Sequence, residues 1–292
     1  MTLAAAFLPL GTAFALAVAA TAAHRRLGPA VAARMLAVAV AAIVAAALPS
    51  MWILALGYLA HTSVLGEGFA WCKEALGLHD RVPWQVGIPA LVFSFAGIVG
   101  VARVIAMQRR LRRLSGGPLE VADCDVAFAY TLPGRAGHIV VSTGLLELLD
   151  DDEQAVVLAH ERAHGEHRHD RFLLLARLAE TVLPPLRPLT RRLHFSLERW
   201  ADEAAVAATG GDRRFVARTL AKTALAGAAP AGALSFMSLG VPARVAALMA
   251  PAPSRHNPAL LGALWTGVVV AILISLWQLH HLASLLSMIC PG

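Results

Sequence analysis

Charge is what this sequence has least of. Only 15% of its 292 residues are Asp, Glu, Lys or Arg, while 58% are hydrophobic and the mean hydropathy is +0.63. Soluble domains carry about 25% charged residues, so a wholly soluble fold is excluded as the first expectation. A helix needs about 20 apolar residues to cross a hydrocarbon core of about 30 Å. Four segments reach that length: 2–23, 35–60, 86–107 and 259–287. The third and fourth are separated by mixed composition, long enough for a domain with its own core.

Other absences narrow the reading. No positive charge precedes the first apolar segment, whereas His24, Arg25 and Arg26 follow it. A cleaved signal peptide has the opposite order, so this segment reads as an uncleaved anchor that starts outside. The loop near 61–85 lacks a basic excess, having Glu67, Lys73, Glu74, Asp80 and Arg81. Basic residues gather elsewhere, at Arg25, Arg26 and Arg34 and in the run Arg109, Arg110, Arg112 and Arg113. The positive-inside rule then predicts a multi-pass protein of the cell membrane, with both termini outside and the large domain in the cytoplasm. These flanks account for most of the net charge of +6. No basic stripe with interleaved aromatics is present, so direct nucleic-acid binding is not expected.

Cysteine is scarce. Of the three, Cys124 falls in the cytoplasmic domain and is expected reduced, while Cys72 and Cys290 both fall outside, where a disulfide between them is expected to persist. Internal repeats and low-complexity linkers are lacking too. The domain boundaries follow: three spans in 1–115, a domain in 116–256, and a fourth span with a short outer tail in 257–292.

Within the domain, residues 119–141 predict a short sheet, since "DVAFAYTL" and "GHIVVST" are β-prone runs separated by Pro133 and Gly134. A short helix is expected at Leu145–Leu149. Asp150 with Glu153 forms a capping-box pattern, and the helix it starts is expected to run past Arg171 towards Val182. Pro184 and Pro185 end it. Thr190 is the expected cap of a second long helix, closed by Gly210 and Gly211. Two further helices follow Asp212 and Pro242. The expectation is a helix-rich α+β domain.

The informative stretch is "VLAHERAHGEHRHD", residues 157–170. His160-Glu161-Arg162-Ala163-His164 fits H-E-x-x-H, in which residues i and i+4 share one helix face and their imidazoles converge on a cation. Zinc suits imidazole, and a catalytic zinc site has three protein ligands with a fourth position open. Glu161, next to the first ligand, is placed to act as general base. Candidates for the third ligand are His167, His169, Asp170 and Glu198. On one straight helix His167 lies a turn too far and His169 points to another face. Glu198, on the next long helix, can reach the site if the two helices are antiparallel, and Asp202 on the same face can orient a ligand imidazole. His194, one turn earlier, is placed either to stabilise an oxyanion or simply to line a helix interface.

These residues carry a resemblance. "HIVVSTGLLELLDDDEQAVVLAHERAH", the Glu198–Asp202 segment and "VPARVAALM" are similar to the BlaR/MecR-type membrane metallopeptidases of the β-lactam-sensor family; relatives of the HtpX type share the zinc pattern. The resemblance spans about 118–250, and the three-plus-one arrangement of spans fits the BlaR/MecR type. It implies four transmembrane helices with a zincin-like metallopeptidase domain inserted between the third and fourth. It further implies Zn2+ held by His160, His164 and Glu198, Glu161 as catalytic base and Asp202 in support. The implied partner, besides the bilayer, is a cytoplasmic protein substrate such as a transcriptional repressor. The sequence departs from those sensors in having no extracellular penicillin-binding domain after the fourth span. Alternatives are an HtpX-like quality-control protease and a non-catalytic metal-binding membrane receptor.

Overall fold

A computed structural model describes residues 3–62, 81–114, 119–133, 138–226, 240–251 and 258–289. Cys72 and Cys290 lie outside the described residues, so the expected disulfide does too. Helix α1 (Leu3–Ala23) leads to α2 (Pro29–Ala60), and α3 (Trp84–Leu114) follows. Pro29 occupies the first turn of α2, where its missing N–H costs nothing. Among the described residues, three helices are long and apolar enough to cross a membrane: Pro29–Ala60, Trp84–Leu111 and the Pro258–Trp277 part of the last helix, α10 (Pro258–Ile289). The corresponding apolar stretch of α1, Leu8–Ala22, is shorter. Helix α1 packs against both α2 and α10. Outward faces of α3 and α10 carry exposed Trp84, Val92, Phe95, Trp265, Leu273 and Trp277.

Between α3 and α10 come β1 (Leu119–Ala122), β2 (Ala129–Leu132), β3 (His138–Ser142) and α4 (Thr143–Leu148). The strand order is β1-β3-β2, with β3 parallel to β1 and antiparallel to β2. Among the described strands β2 is therefore an edge, and α5 (Asp151–Glu166) contacts it. Gly144, where β3 passes into α4, has no room for a Cβ, which would lie 2.1 Å from the Asp125 carbonyl oxygen.

Helix α5 starts as its sequence predicts. Asp150 accepts from the Glu153 N–H at 2.8 Å, and the Glu153 carboxylate accepts from the Asp150 N–H at 3.2 Å. The expectation that it runs unbroken to Val182 is overturned. It stops at Glu166, and α6 (His169–Val182) begins after Arg168, whose φ is 56°. Left-handed backbone is unfavourable for a residue with a Cβ. Here it lets the chain re-enter helix at a new angle and bury His169 completely.

Thr190 is not the cap of α7 (Arg187–Ala208) either, because Pro188 fits the first turn and starts that helix earlier. The Thr190 hydroxyl is buried inside α7 and donates to the Glu180 carboxylate of α6. Helices α8 (Arg213–Ala226) and α9 (Val241–Met249) close the domain. One hydrophobic cluster joins α1, α2 and α10 to α6 and α7, through Ala33, Leu36, Val40, Ala176, Leu193 and Leu197. Helix α7 thus rests directly on α2.

Candidate metal centre

Helices α5 and α7 pack against each other and bring His160, His164 and Glu198 together, their ligand atoms all within 4.8 Å of one another. The Nε2 atoms of His160 and His164 are 3.1 Å apart. Glu198 Oε2 lies 3.6 Å from His160 Nε2, and Oε1 lies 3.5 Å from His164 Nε2. A tetrahedral zinc with bonds of 2.0–2.2 Å requires donor–donor edges of about 3.3–3.6 Å. The His160–His164 edge of 3.1 Å is slightly short of that range and the two Glu198 distances run to different carboxylate oxygens, so the cluster stands near zinc spacing, and two imidazoles with one carboxylate suit zinc chemistry.

Each imidazole is held from behind. His160 Nδ1 lies 3.1 Å from Asp202 Oδ1, so an Nδ1–H donated to that carboxylate leaves the Nε2 lone pair facing the cluster. His164 Nδ1 lies 2.8 Å from Nδ1 of His169. The break at Arg168 therefore corrects the straight-helix reading, in which His169 points to another face. His167 caps α5 and stacks on Trp200 with ring centroids 4.5 Å apart. Asp170 lines the adjoining cavity, 3.6 Å from Arg168 Nε. His194 does not line the cavity; burial lowers its pKa, with Glu180 opposing.

Two contributors escape a reading by motif. Arg244, on α9, is only 2% exposed. Its Nε donates to Asp202 Oδ2 at 2.8 Å and its Nη2 to Oδ1 at 2.6 Å, while Nη1 lies 2.8 Å from Glu198 Oε2. A lone arginine in the apolar "VPARVAALM" is the available signal, since a buried cation needs carboxylates. Thr131, on the edge strand, donates to Glu161 Oε2 at 2.7 Å and has the Glu161 carbonyl at 2.9 Å.

The site's charges are mutually balanced. Burial opposes a proton on His160, but the hydrogen bond to Asp202, and next Glu198, outweigh it and push its pKa up to about 10. Glu198 sits far below the usual carboxylate range: burial opposes this, but His164, His160 and Arg244 prevail. Asp202 is lowered against its own burial by Arg244 and then His160. Burial pushes His164 down, partly opposed by Glu198. His169 falls to about 2 through burial and then through its neighbour His164.

A cavity of about 640 Å³ opens over the cluster. Phe128 to Pro133 line one side, and Val216, Thr219, Leu220 and Thr223 of α8 line another. Met107, Gln108 and Leu111 bring the end of α3 to its border. Glu161, 7% exposed, lies within it. Glu161 and the His160, His164 and Glu198 cluster thus share one cavity beside β2.

Residues 121–190 match Peptidase family M48. That stretch includes His160, Glu161 and His164 and ends before Glu198. A protein named Protease HtpX homolog from Aeropyrum pernix is 32% identical over 124 residues, 39% of this chain and 39% of that protein. Another of the same name from Thermoplasma acidophilum is 38% identical over 65 residues, 22% of this chain and 20% of that protein. The chain thus spans about two fifths and one fifth of the length of these relatives. No solved structure matches at comparable significance. These likenesses support a membrane metallopeptidase of the M48 kind and do not extend to the BlaR/MecR type.

Proposed function

We propose that the chain is a membrane-embedded, zinc-dependent endopeptidase. The observation that carries this reading is the His160, His164 and Glu198 triangle, with Glu161 beside it in a cavity bordered by an edge strand. Among the described residues the cluster has three members, which favours a catalytic site over a structural one closed by four protein ligands. His160, His164 and Glu198 would hold zinc there, and the ion would supply Lewis acidity for peptide hydrolysis. The chain's own groups do the rest. Glu161 takes the proton of the attacking water and returns it to the leaving amine. The β2 edge aligns an extended peptide through backbone hydrogen bonds, and Asp202 holds His160 in the ligating tautomer.

The basic residues flanking the spans favour a cytoplasmic domain, and the proposed substrate is a cytoplasmic protein. Cleavage of a transcriptional repressor in a signalling response follows from the BlaR/MecR resemblance. The names of the two relatives favour an HtpX-like protease equally. Substrate profiling in membranes separates them: one dominant substrate supports signalling, and many unrelated ones support the HtpX-like role. Glu161→Gln is the direct test of mechanism. Zinc content should persist while cleavage falls at least about 1,000-fold, a loss on the scale of removing one essential catalytic group; near-normal proteolysis by this variant would end the proposal.

A further inference from the structure

We infer that His169 is a positioning residue that accepts the Nδ1–H of His164 and thereby holds the His164 Nε2 lone pair towards Glu198 and His160. This rests on the zinc reading above. Two ring nitrogens at 2.8 Å share one proton, because two facing lone pairs or two facing N–H groups would repel. If His169 donates, the His164 proton sits on Nε2 and blocks ligation. If His169 accepts, Nε2 of His164 is free to bind a cation, and His169 carries its own proton on Nε2. His169 Nε2 is buried with no hydrogen-bond partner among the described residues, an unsatisfied group of the kind that native structures retain where it serves a site.

The placement of His169 is built rather than incidental. Its side chain is 0% exposed. Trp200 and Phe172 flank the ring at centroid distances of 4.9 and 6.3 Å, and it meets His164 edge-on at 4.8 Å with planes at 84°. Arg168, the one non-glycine left-handed residue among those described, turns the chain so that α6 starts with this ring against His164. The two ligand imidazoles thus have different supports: an anion, Asp202, behind His160 and a neutral ring behind His164. A neutral acceptor fixes the tautomer without adding a negative charge to a site that already holds Glu161, Glu198 and Asp202.

The test uses the full chain in detergent, with zinc as the probe, affinity read by chelator competition, and melting of the metal-free protein as control. His169→Phe removes the acceptor and should weaken zinc binding by about 10–100-fold. His169→Asn supplies an amide oxygen at the same depth and should recover most of that loss, with the two variants melting alike without metal. Wild-type affinity in His169→Phe, or no recovery in His169→Asn, would overturn the inference. If His169→Phe does not fold, the nitrogen-15 spectrum of zinc-loaded wild type decides: an unprotonated Nδ1 with a protonated Nε2 on His169 is expected, and a protonated Nδ1 on His169 overturns the idea. Failure of the unaltered chain to bind zinc would bring down the zinc reading and this inference together, whereas zinc binding indifferent to residue 169 would remove only this one.

Discussion

Arg244→Met tests whether the centre is held by charge balance before any metal arrives. The wild-type guanidinium makes two hydrogen bonds to Asp202, at 2.6 and 2.8 Å, and an ion pair with Glu198 at 2.8 Å, all at 2% exposure. Methionine fills most of the same volume without charge, so the loss reports electrostatics more than a cavity. Removing one partner of a buried ion pair costs about 3–5 kcal/mol. The cation on His160 still faces both carboxylates, which puts the expected cost near the low end, about 3 kcal/mol. At about 3–4 °C per kcal/mol for a domain of this size, the metal-free protein should melt about 10 °C lower. Zinc should narrow that gap, since a divalent cation takes over part of the neutralising role. The gap should also shrink in acid. Glu198 and Asp202 have depressed pKa values in the fold, so their contribution is present above the ordinary carboxylate range and is lost as pH falls. Melting of both proteins, with and without zinc, across pH measures all three. A variant within about 1 °C of wild type without metal, on a transition where 3 kcal/mol should be plain, would refute the reasoning.

Two other outcomes follow from the same geometry. His160, raised to about 10 from 6.5, holds a proton at neutral pH in the metal-free protein; its stabilising effect is full below 6.5 and is lost as pH rises through about 10. Zinc needs that lone pair, so binding should release this proton and affinity should climb about tenfold per pH unit towards the raised pKa. Calorimetry at one pH in two buffers of different ionisation heat reads the release, and equal heats would contradict it. Gly144→Ala would put a Cβ 2.1 Å from the Asp125 carbonyl oxygen and 2.5 Å from its carbon, both backbone atoms. The usual gain from Ala in a helix should give way to a loss of about 2 kcal/mol, seen as a lower melting temperature.

Local, periodic signals were legible in the sequence. Apolar runs marked the long helices, Asp150 and Glu153 marked the start of α5, and the i, i+4 histidines marked a shared face. What escaped depends on contacts between distant segments. Nothing local announces that Arg168 adopts left-handed backbone, because the reward, a buried His169 against His164, comes from α7 through Trp200. Thr190 looked like a cap by residue type, yet Pro188 starts the helix earlier and the hydroxyl goes to Glu180 on another helix. Arg244 reads as a stray charge in a short apolar helix, and its meaning appears only when α9 lays it across Glu198 and Asp202.

The relation between the apolar helices and the centre has the same origin. Hydropathy treats the spans and the domain as consecutive units, because it registers length and composition but not which faces meet. In the fold, α2 packs along α7, and the Arg34 guanidinium of α2 lies 4.6 Å over the ring of Trp200. Trp200 is two residues from both Glu198 and Asp202, and it stacks on His167 and flanks His169. Interiors are close-packed and transmit strain. The Arg34–Trp200 contact thus ties the buried face of α2 to the helix that presents Glu198 and Asp202.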